Sequence, residues 1–492
     1  MTQIVASLVE GGIAGVSDSS KIAFREGADI VECRLDHLMG LSPELVFEAR
    51  RAAHGPAIAT LRSRKEGGRS ALTGARREAI LTAALEADFE YVDFELANDR
   101  AFLKKVARSD WDSDIITSVH LARPTGRATI ERCLHDAARM GDIAKVAMPC
   151  EHAHDALMLA KLGTSLSKKR LRYVLIGIGI QGQLTRVFSD RIGSCMVYAC
   201  LAGKEAAPGQ LDVATQHSLL NGERTILGLV GHPVSHSVSK PMQEAAMKEL
   251  GLVGSYLPMD FNPGTFSKGA LSLLRDLGFK GVNVTVPHKE RAFDLCDRKG
   301  EPARATGAVN TIRFQGKSFV GENTDVRGFS GLIDGKIVVT RDTEALLVGA
   351  GGAARAVVYV LSRLQAKITI VDIEKKRADE LARTFGAKSE SLRRLWKSGR
   401  TFDLVVNCTP VGMKGVPGNP ITAALFEPGS VFVDIIFNPP VTAAMKTAER
   451  AGAKVLGGLE MLVQQGAESL RIWTGLEPRV ETMREAARRA LT

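Results

Sequence analysis

Lys145 stands in the run Ile143-Ala144-Lys145-Val146-Ala147-Met148, whose other members are apolar. A buried ammonium is costly, so such a lysine either pairs with an acid or gives up its proton, and a neutral amine attacks ketones. His120 closes the preceding β-rich run, and an imidazole titrating near neutrality moves protons both ways. The segment Leu61-Arg62-Ser63-Arg64-Lys65-Glu66-Gly67-Gly68 adds an arginine for a carboxylate and a glutamate to orient the imidazole. Amine, proton carrier and anion clamp are the groups that imine chemistry on a keto acid requires. On the sequence, the alternative of a structural Lys145 paired with Glu32 or Asp93 stays open.

A different chemistry is indicated further along. The run Ala345-Leu346-Leu347-Val348 leads into Gly349-Ala350-Gly351-Gly352-Ala353-Ala354-Arg355 and then an apolar helical pattern. Glycines between a strand and a helix let backbone N–H groups approach a pyrophosphate at the helix N-terminus. The motif Gly349-x-Gly351-Gly352-x-x-Arg355 lacks the third glycine of the dinucleotide fingerprint, so a tight structural turn is the competing reading. The next β-prone run, 367–371, ends at Asp372, about twenty residues on, where an acid meets the adenosine ribose.

The elements that must position these groups are α/β throughout. Eight β-rich runs, at 3–9, 29–35, 57–62, 90–95, 114–119, 143–148, 172–178 and 195–201, each precede a helix-like segment, which predicts an N-terminal (β/α)8 barrel. In that fold the carboxyl ends of the strands carry the chemistry, and Glu32, Arg34, Arg62, His120 and Lys145 all fall at such ends. The polar break Asn221-Gly222-Glu223-Arg224 ends the barrel, predicting domains at 1–222, 223–330 and 331–469. The middle domain has strand-like runs at 225–230, 282–286 and 308–314 and is completed by a C-terminal helix at about 470–492. The last is a Rossmann-like cofactor domain, making the second part a two-domain α/β dehydrogenase.

Composition narrows the class. A chain of 492 residues with 45% hydrophobic and 24% charged residues and a mean hydropathy of +0.00 is that of a globular, multidomain protein. The net charge of +10 is spread over short runs such as 167–172, 374–377 and 393–397 that match no nucleic-acid module, so no nucleic-acid partner is expected. Seven cysteines without C-x-x-C spacing suit a reducing compartment. No segment has the roughly eighteen uninterrupted apolar residues of a membrane helix and the N-terminus lacks a leader pattern, so the expectation is a cytoplasmic protein with no membrane partner. His152-Ala153-His154 has no third ligand nearby in sequence, and no metal is expected.

Taken together, residues 1 to about 220 resemble type I 3-dehydroquinate dehydratase. The resemblance rests on Val31-Glu32-Cys33-Arg34-Leu35-Asp36, the segment from Arg62 to Gly68, Ser118-x-His120, Asp142-Ile143-Ala144-Lys145, Arg186 and Ala207-Pro208-Gly209-Gln210. It implies that Lys145 forms a Schiff base with the substrate ketone and that His120, held by Glu66, removes and returns the proton. It also implies that Arg62 and Arg186 grip the substrate carboxylate, with Glu32, Arg34 and Gln210 on its hydroxyls. Ala206 replaces the serine the family carries before A-P-G-Q, thinning the hydroxyl contacts.

Residues 225–492 resemble shikimate dehydrogenase through Ser235-His236-Ser237-Val238-Ser239, Asn283-Val284-Thr285-Val286-Pro287-His288-Lys289-Glu290, Gly307-Ala308-Val309-Asn310-Thr311, Asn323-Thr324-Asp325, Asn407-Cys408-Thr409-Pro410-Val411-Gly412-Met413, Asp434 and Met461-Leu462-Val463-Gln464-Gln465. The implied dyad is Lys289 with Asp325, and the implied substrate ligands are Ser237, Ser239, Thr285, Asn310 and Gln465. The cofactor site implied is Gly349, Ala350, Gly351, Gly352, Ala353, Asp372, Arg377, Asn407, Thr409 and Gly458. Phe437 stands where the family often has a tyrosine. At the end of the second cofactor strand, NADP-using relatives read N-R-T. Here Asp372-Ile373-Glu374 repels a 2′-phosphate and removes its cation, which favours NAD, although Lys375, Lys376 and Arg377 could still serve NADP.

The expected function is therefore a fused dehydratase and dehydrogenase for consecutive shikimate-pathway steps, acting on 3-dehydroquinate, 3-dehydroshikimate and shikimate with NAD or NADP. A homo-oligomer is compatible with the sequence. The competing readings are a catabolic quinate/shikimate dehydrogenase fusion and a non-catalytic quinate-pathway regulator. The second is opposed by the presence of His120, Lys145, Lys289 and Asp325.

Overall fold

The computed structural model describes residues 2–106, 111–167, 170–234 and 237–491, so Ser235 and His236 of the first dehydrogenase motif and Lys168 and Lys169 of the first basic run lie outside the described residues. The chain forms two compact units, with the main break between Arg224 and Thr225. The break falls later than residue 222 because the Arg224 guanidinium is bound within the first unit, donating to Val187 O (2.9 Å) and to both oxygens of Asp190 (2.8 and 2.9 Å).

The first unit is built on β1 (Gln3–Leu8), β2 (Ile30–Arg34), β3 (Ala57–Thr60), β4 (Tyr91–Glu95), β5 (Asp114–His120), β6 (Ile143–Pro149), β7 (Tyr173–Ile178) and β8 (Met196–Cys200). They form one sheet in the order β7-β6-β5-β4-β3-β2-β1-β8, with parallel pairs from β8 through β1 to β7. This is a nearly closed barrel. Between β7 and β8 the seam is tied by the Cys195 N–H donating to Tyr173 O (2.9 Å). Local chemistry sets the outer helices: in Pro43–Ala52, Ser42 caps the Leu45 N–H, Pro43 opens the first turn, and Val46 and Ala49 are buried.

Strand alternation then dictates the interior. Val5, Ile30, Ile58, Ile116, Ile143 and Val174 form an apolar floor. Two residues further toward the carboxyl ends, the inward positions of β1 to β6 are Ser7, Glu32, Thr60, Asp93, Ser118 and Lys145, which hydrogen bond to one another. The polar layer is thus displaced toward one rim.

The second unit contains two six-stranded sheets. One comprises β9 (Thr225–Gly231), β10 (Gly254–Asp260), β11 (Phe279–Val284), β12 (Arg298–Lys299), β13 (Thr311–Gln315) and β14 (Ser318–Glu322), ordered β10-β9-β11-β13-β14-β12. The β11 strand stops at Val284, short of the expected residue 286, because Pro287 has no N–H to continue a ladder. The other comprises β15 (Glu344–Val348), β16 (Lys367–Val371), β17 (Lys388–Glu390), β18 (Leu404–Asn407), β19 (Val431–Asp434) and β20 (Lys454–Gly457). Its all-parallel order β17-β16-β15-β18-β19-β20 is the doubly wound 3-2-1-4-5-6 arrangement, with the crossover reversing between β15 and β18.

The chain returns to the first of these sheets earlier than residue 470. Helix Leu459–Thr474 already contributes Val463, Ala467, Leu470 and Trp473 to the core that holds Leu227, Leu229 and Met242. Helix Val480–Arg489 adds Met483 and Ala487 to the same core.

Candidate active sites

The rim of the barrel encloses a cavity lined by Glu32, Arg34, Arg62, His120, Lys145, Arg186 and Gln210, with Tyr198 and Ala206 among its further walls. Lys145 is buried, with Nζ 3.0 Å from Asp93 Oδ2, 3.9 Å from Glu32 Oε1 and 3.8 Å from the centroid of the Tyr198 ring. The lysine that the sequence offers as a nucleophile is therefore also ion-paired. His120 Nδ1 lies 2.9 Å from Glu66 Oε2, which turns Nε2 away from the glutamate. Burial, with the charges of Arg62 and Lys145, holds the His120 imidazole well below its ordinary value, so it is neutral at pH 7 and can accept a proton. Burial, reinforced by the charge of Glu95, pushes the Glu66 carboxyl up to about 7.

The two arginines expected to hold a carboxylate differ in kind. Arg62 is already neutralised, within 2.9 Å of Asp93, 3.2 Å of Glu95 and 3.3 Å of Glu66. Arg186 has no acid within ion-pairing distance among the described residues. It donates to Tyr198 O (2.7 Å), its Nε is buried without a partner, and burial pulls the guanidinium down to about 10. A buried cation without a counter-ion, on the wall of a cavity, is a receptor for an anion. Arg34 is held bidentately by Asp36 (2.8 Å each), and Glu32 accepts from Ser7 (2.7 Å) and Thr60 (2.9 Å). Gln210 Oε1 accepts the N–H groups of Ala206 and Ala207 (2.8 and 3.1 Å), which orients its amide toward the cavity.

In the second unit Lys289 Nζ is 2.5 Å from Asp325 Oδ2, and Asn310 Nδ2 donates to Asp325 Oδ1 (2.9 Å). Asn310 cannot flip freely, because its Oδ1 accepts the Thr324 N–H (2.7 Å) and the hydroxyls of Thr311 and Thr324 (3.1 Å each). Among the described residues, no hydrogen bond links Ser237, Ser239, Thr285 or Gln465 to the dyad. The Ser239 N–H donates to Ser237 Oγ (3.2 Å), the Thr285 N–H to Val230 O (2.8 Å) and Gln465 Nε2 to Leu462 O (2.8 Å).

Beside the dyad lies the glycine turn. A Cβ on Gly352 would sit 3.2 Å from Lys289 Cδ, which brings the start of helix Gly352–Arg363 against the lysine. Gly349 has φ +105°, and a Cβ there would lie 3.0 Å from the Cys408 carbonyl, so both conformation and closeness require glycine. Asp372 braces the turn, with Oδ2 accepting the Ala350 N–H (2.7 Å) and Oδ1 the Glu374 N–H (2.8 Å). Ile373 is 88% exposed beside it, and Arg377 reaches toward Gly351. The Asn407 side chain is fully buried, donating to Asp434 (3.0 Å) and accepting from Thr409. It orders Thr409 from below. Gly458 is closely packed, since a Cβ would lie 2.0 Å from Ile435 O.

Sequence reasoning did not single out Glu95 or Tyr198 in the barrel, nor Ser469, whose hydroxyl is 2.9 to 3.0 Å from those of Thr311 and Thr324. A signal existed for Glu95: Asp93-x-Glu95 repeats the i, i+2 charge pattern of Glu32-x-Arg34.

Comparison with known proteins agrees with this division. Residues 4–225 match the type I 3-dehydroquinase family. Residues 229–312 match the shikimate dehydrogenase substrate binding domain, 334–456 shikimate / quinate 5-dehydrogenase, and 458–488 the shikimate 5′-dehydrogenase C-terminal domain. The chloroplastic bifunctional 3-dehydroquinate dehydratase/shikimate dehydrogenase of Arabidopsis thaliana is 30% identical over 491 residues, covering 94% of this chain and 80% of that protein. The shikimate dehydrogenase (NADP(+)) of Methanopyrus kandleri is 41% identical over 279 residues, covering 54% of this chain and 96% of that protein. Among solved structures, shikimate 5-dehydrogenase from Thermus thermophilus in complex with NADP(H) and shikimate is 38% identical with a TM-score of 0.50, covering 54% of this chain and all of that one. A barrel with a lysine in its cavity and a doubly wound domain beside a Lys-Asp pair, in one chain that aligns with the plant enzyme along nearly its full length, belong to the family of bifunctional 3-dehydroquinate dehydratases/shikimate dehydrogenases of the shikimate pathway.

Proposed function

We propose that the barrel dehydrates 3-dehydroquinate to 3-dehydroshikimate through a Schiff base on Lys145, and that the second unit reduces 3-dehydroshikimate reversibly to shikimate, in the biosynthetic direction and in the cytoplasm. The observation that carries this reading is the placement of the buried Lys145 amine and the His120 imidazole on the wall of one cavity, with the uncompensated Arg186 cation on the same wall. Lys145 Nζ adds to the ketone carbon and water leaves, forming an iminium that acidifies the neighbouring C–H. His120 Nε2 takes that proton and returns one to the departing hydroxyl, and water then releases the lysine. The net change is loss of one water. Arg186 holds the carboxylate, and Glu32, Arg34, Arg62 and Gln210 face the hydroxyls.

Arg186→Met is expected to raise KM for 3-dehydroquinate by ~10- to 100-fold, the loss of one charge-assisted pair. The same change removes an uncompensated buried charge and should raise the barrel's melting temperature by ~2–4 °C. Calorimetry on the full chain reads both signs. Weaker binding without greater stability would mean that Arg186 has another counter-ion.

In the second unit, Lys289 exchanges the proton on the substrate oxygen and Asp325, fixed by Asn310, holds the ammonium in place. Ser237, Ser239, Thr285 and Gln465 line the carboxylate and hydroxyl side. The glycine turn fits a dinucleotide, since its N–H groups open a helix at the β15/β18 reversal beside Lys289. Gly349 to Ala353, Thr409 and Arg377 would hold it, and the nicotinamide supplies or accepts hydride.

Although the relatives carry NADP(+) in their names, Asp372 favours NAD here. Its carboxylate, braced by two backbone N–H groups, repels a 2′-phosphate, and Ile373 supplies no cation. Lys375 is paired with Asp379, which leaves Lys376 and Arg377. Feeding 3-dehydroquinate and following nicotinamide absorbance tests both halves in one cuvette. Turnover is expected with NADH at a kcat/KM about tenfold above NADPH, the scale of one unfavourable charge contact. A tenfold advantage for NADPH would overturn the cofactor assignment, and no turnover with either the whole reading.

A further inference from the structure

The polar layer of the barrel holds more carboxylates than cations. Lys145, Arg62 and Arg77 are linked by ion pairs to Glu32, Glu66, Asp93, Glu95 and Asp99, three cations against five acids. Arg34 and Asp36 beside them neutralise each other. Ionising every acid would leave two uncompensated negative charges in a buried cluster, so a proton is retained by the acid with the weakest support.

That acid is Glu66. Asp93 accepts from Arg62 (2.9 Å), Lys145 (3.0 Å) and Ser118 (2.6 Å). Glu95, completely buried and absent from the cavity wall, accepts from Arg62 (3.2 Å), the Ser63 N–H (2.8 Å) and Asn98 (2.5 Å), with Arg77 at 3.3 Å. Asp99 holds Arg77 bidentately (2.6 and 2.8 Å). Glu66 has one long contact, 3.3 Å, to the same Arg62 nitrogen that Glu95 uses, and its other neighbour is His120.

The proton on Glu66 decides which nitrogen of His120 is bare. An ionised Glu66 accepts from Nδ1–H and leaves the Nε2 lone pair free. A protonated Glu66 donates to Nδ1 and places the hydrogen on Nε2, where the substrate proton must go.

We propose that Glu95, a positioning residue outside the cavity, sets the lower pH limit of the dehydratase by competing with Glu66 for Arg62. The inference rests on the reading of His120 as the proton acceptor. The groups that face Glu66 are Arg62 from the end of β3, Asp93 and Glu95 from β4 and His120 from β5, with Lys145 of β6 behind Asp93 and the Arg34–Asp36 pair after β2. Burial and the Glu95 charge both favour the proton, which agrees with the carboxyl titrating at about 7.

The test is the pH profile of dehydratase kcat/KM in the full chain. Glu66→Gln should erase the acid limb, because an amide oxygen accepts from Nδ1–H at every pH. If the limb persists there, the reading of His120 and Glu66 fails whatever Glu95 does. Glu95→Gln is expected to move the limb about one pH unit lower, with the plateau within a few-fold of the parent. Arg77→Gln, which strips a cation from Glu95, should move it higher. These opposite displacements are what a packing role cannot produce. A limb that stays in place in both variants while Glu66→Gln removes it, or a uniform fall of the plateau, overturns the assignment to Glu95.

Discussion

Lys145→Met should lower dehydratase turnover by roughly 10⁴-fold or more, since among the described residues no other amine lines the cavity to form the imine. The variant should fold, because Asp93 keeps Arg62 at 2.9 Å and Ser118 at 2.6 Å after the lysine is gone, and methionine fills the space over the Tyr198 ring. Reduction with borohydride in the presence of 3-dehydroquinate should add the mass of the reduced adduct to Lys145 in the parent chain and nothing in the variant. Shikimate oxidation should be unchanged, because the second unit has its own cores. An active parent enzyme that gains no mass on Lys145, or gains it on another residue, refutes the Schiff base.

The mirror experiment is Lys289→Met. It removes the group that carries the proton to and from the substrate oxygen, and the expected loss in dehydrogenase kcat is roughly 10³-fold, within the range for a general acid–base residue. Asp325 remains fixed through Asn310 at 2.9 Å, so cofactor affinity should change little. Dehydratase activity in the same chain should be intact, giving an internal control. If kcat holds and only KM rises, Lys289 is a binding residue and the proton travels by another route.

These effects differ in how readily the sequence announces them. Lys145 was conspicuous because an ammonium in an apolar run requires an explanation, and His120 and Glu66 followed from it. Glu95 carries comparable consequence and was overlooked, and Asp93 entered only as a possible ion-pair partner of Lys145. In Val92-Asp93-Phe94-Glu95 the acids alternate with apolar residues, as they would on a strand with one solvated face. Barrel closure turns that face inward. Arg62 and Arg186 had identical expectations, and only their neighbours separate them: three carboxylates around one, none paired with the other. Asn407 is a polar residue in a cofactor motif whose side chain folding ties to Asp434 and Thr409.

The residue order alone sufficed for the fold class and for singling out Lys145, because periodicity and an out-of-place charge are local properties of the chain, while Lys289 and Asp325 stood out only through the resemblance to shikimate dehydrogenase. The ionisation of Glu66, the free charge on Arg186 and the rotamer of Asn310 were settled by folding. Each depends on summing charges and hydrogen bonds over segments far apart in the chain: Arg62 and Ser118 are 56 residues apart, and Thr311 and Ser469 158. Those sums exist only once the sheets have brought the segments within a few ångströms.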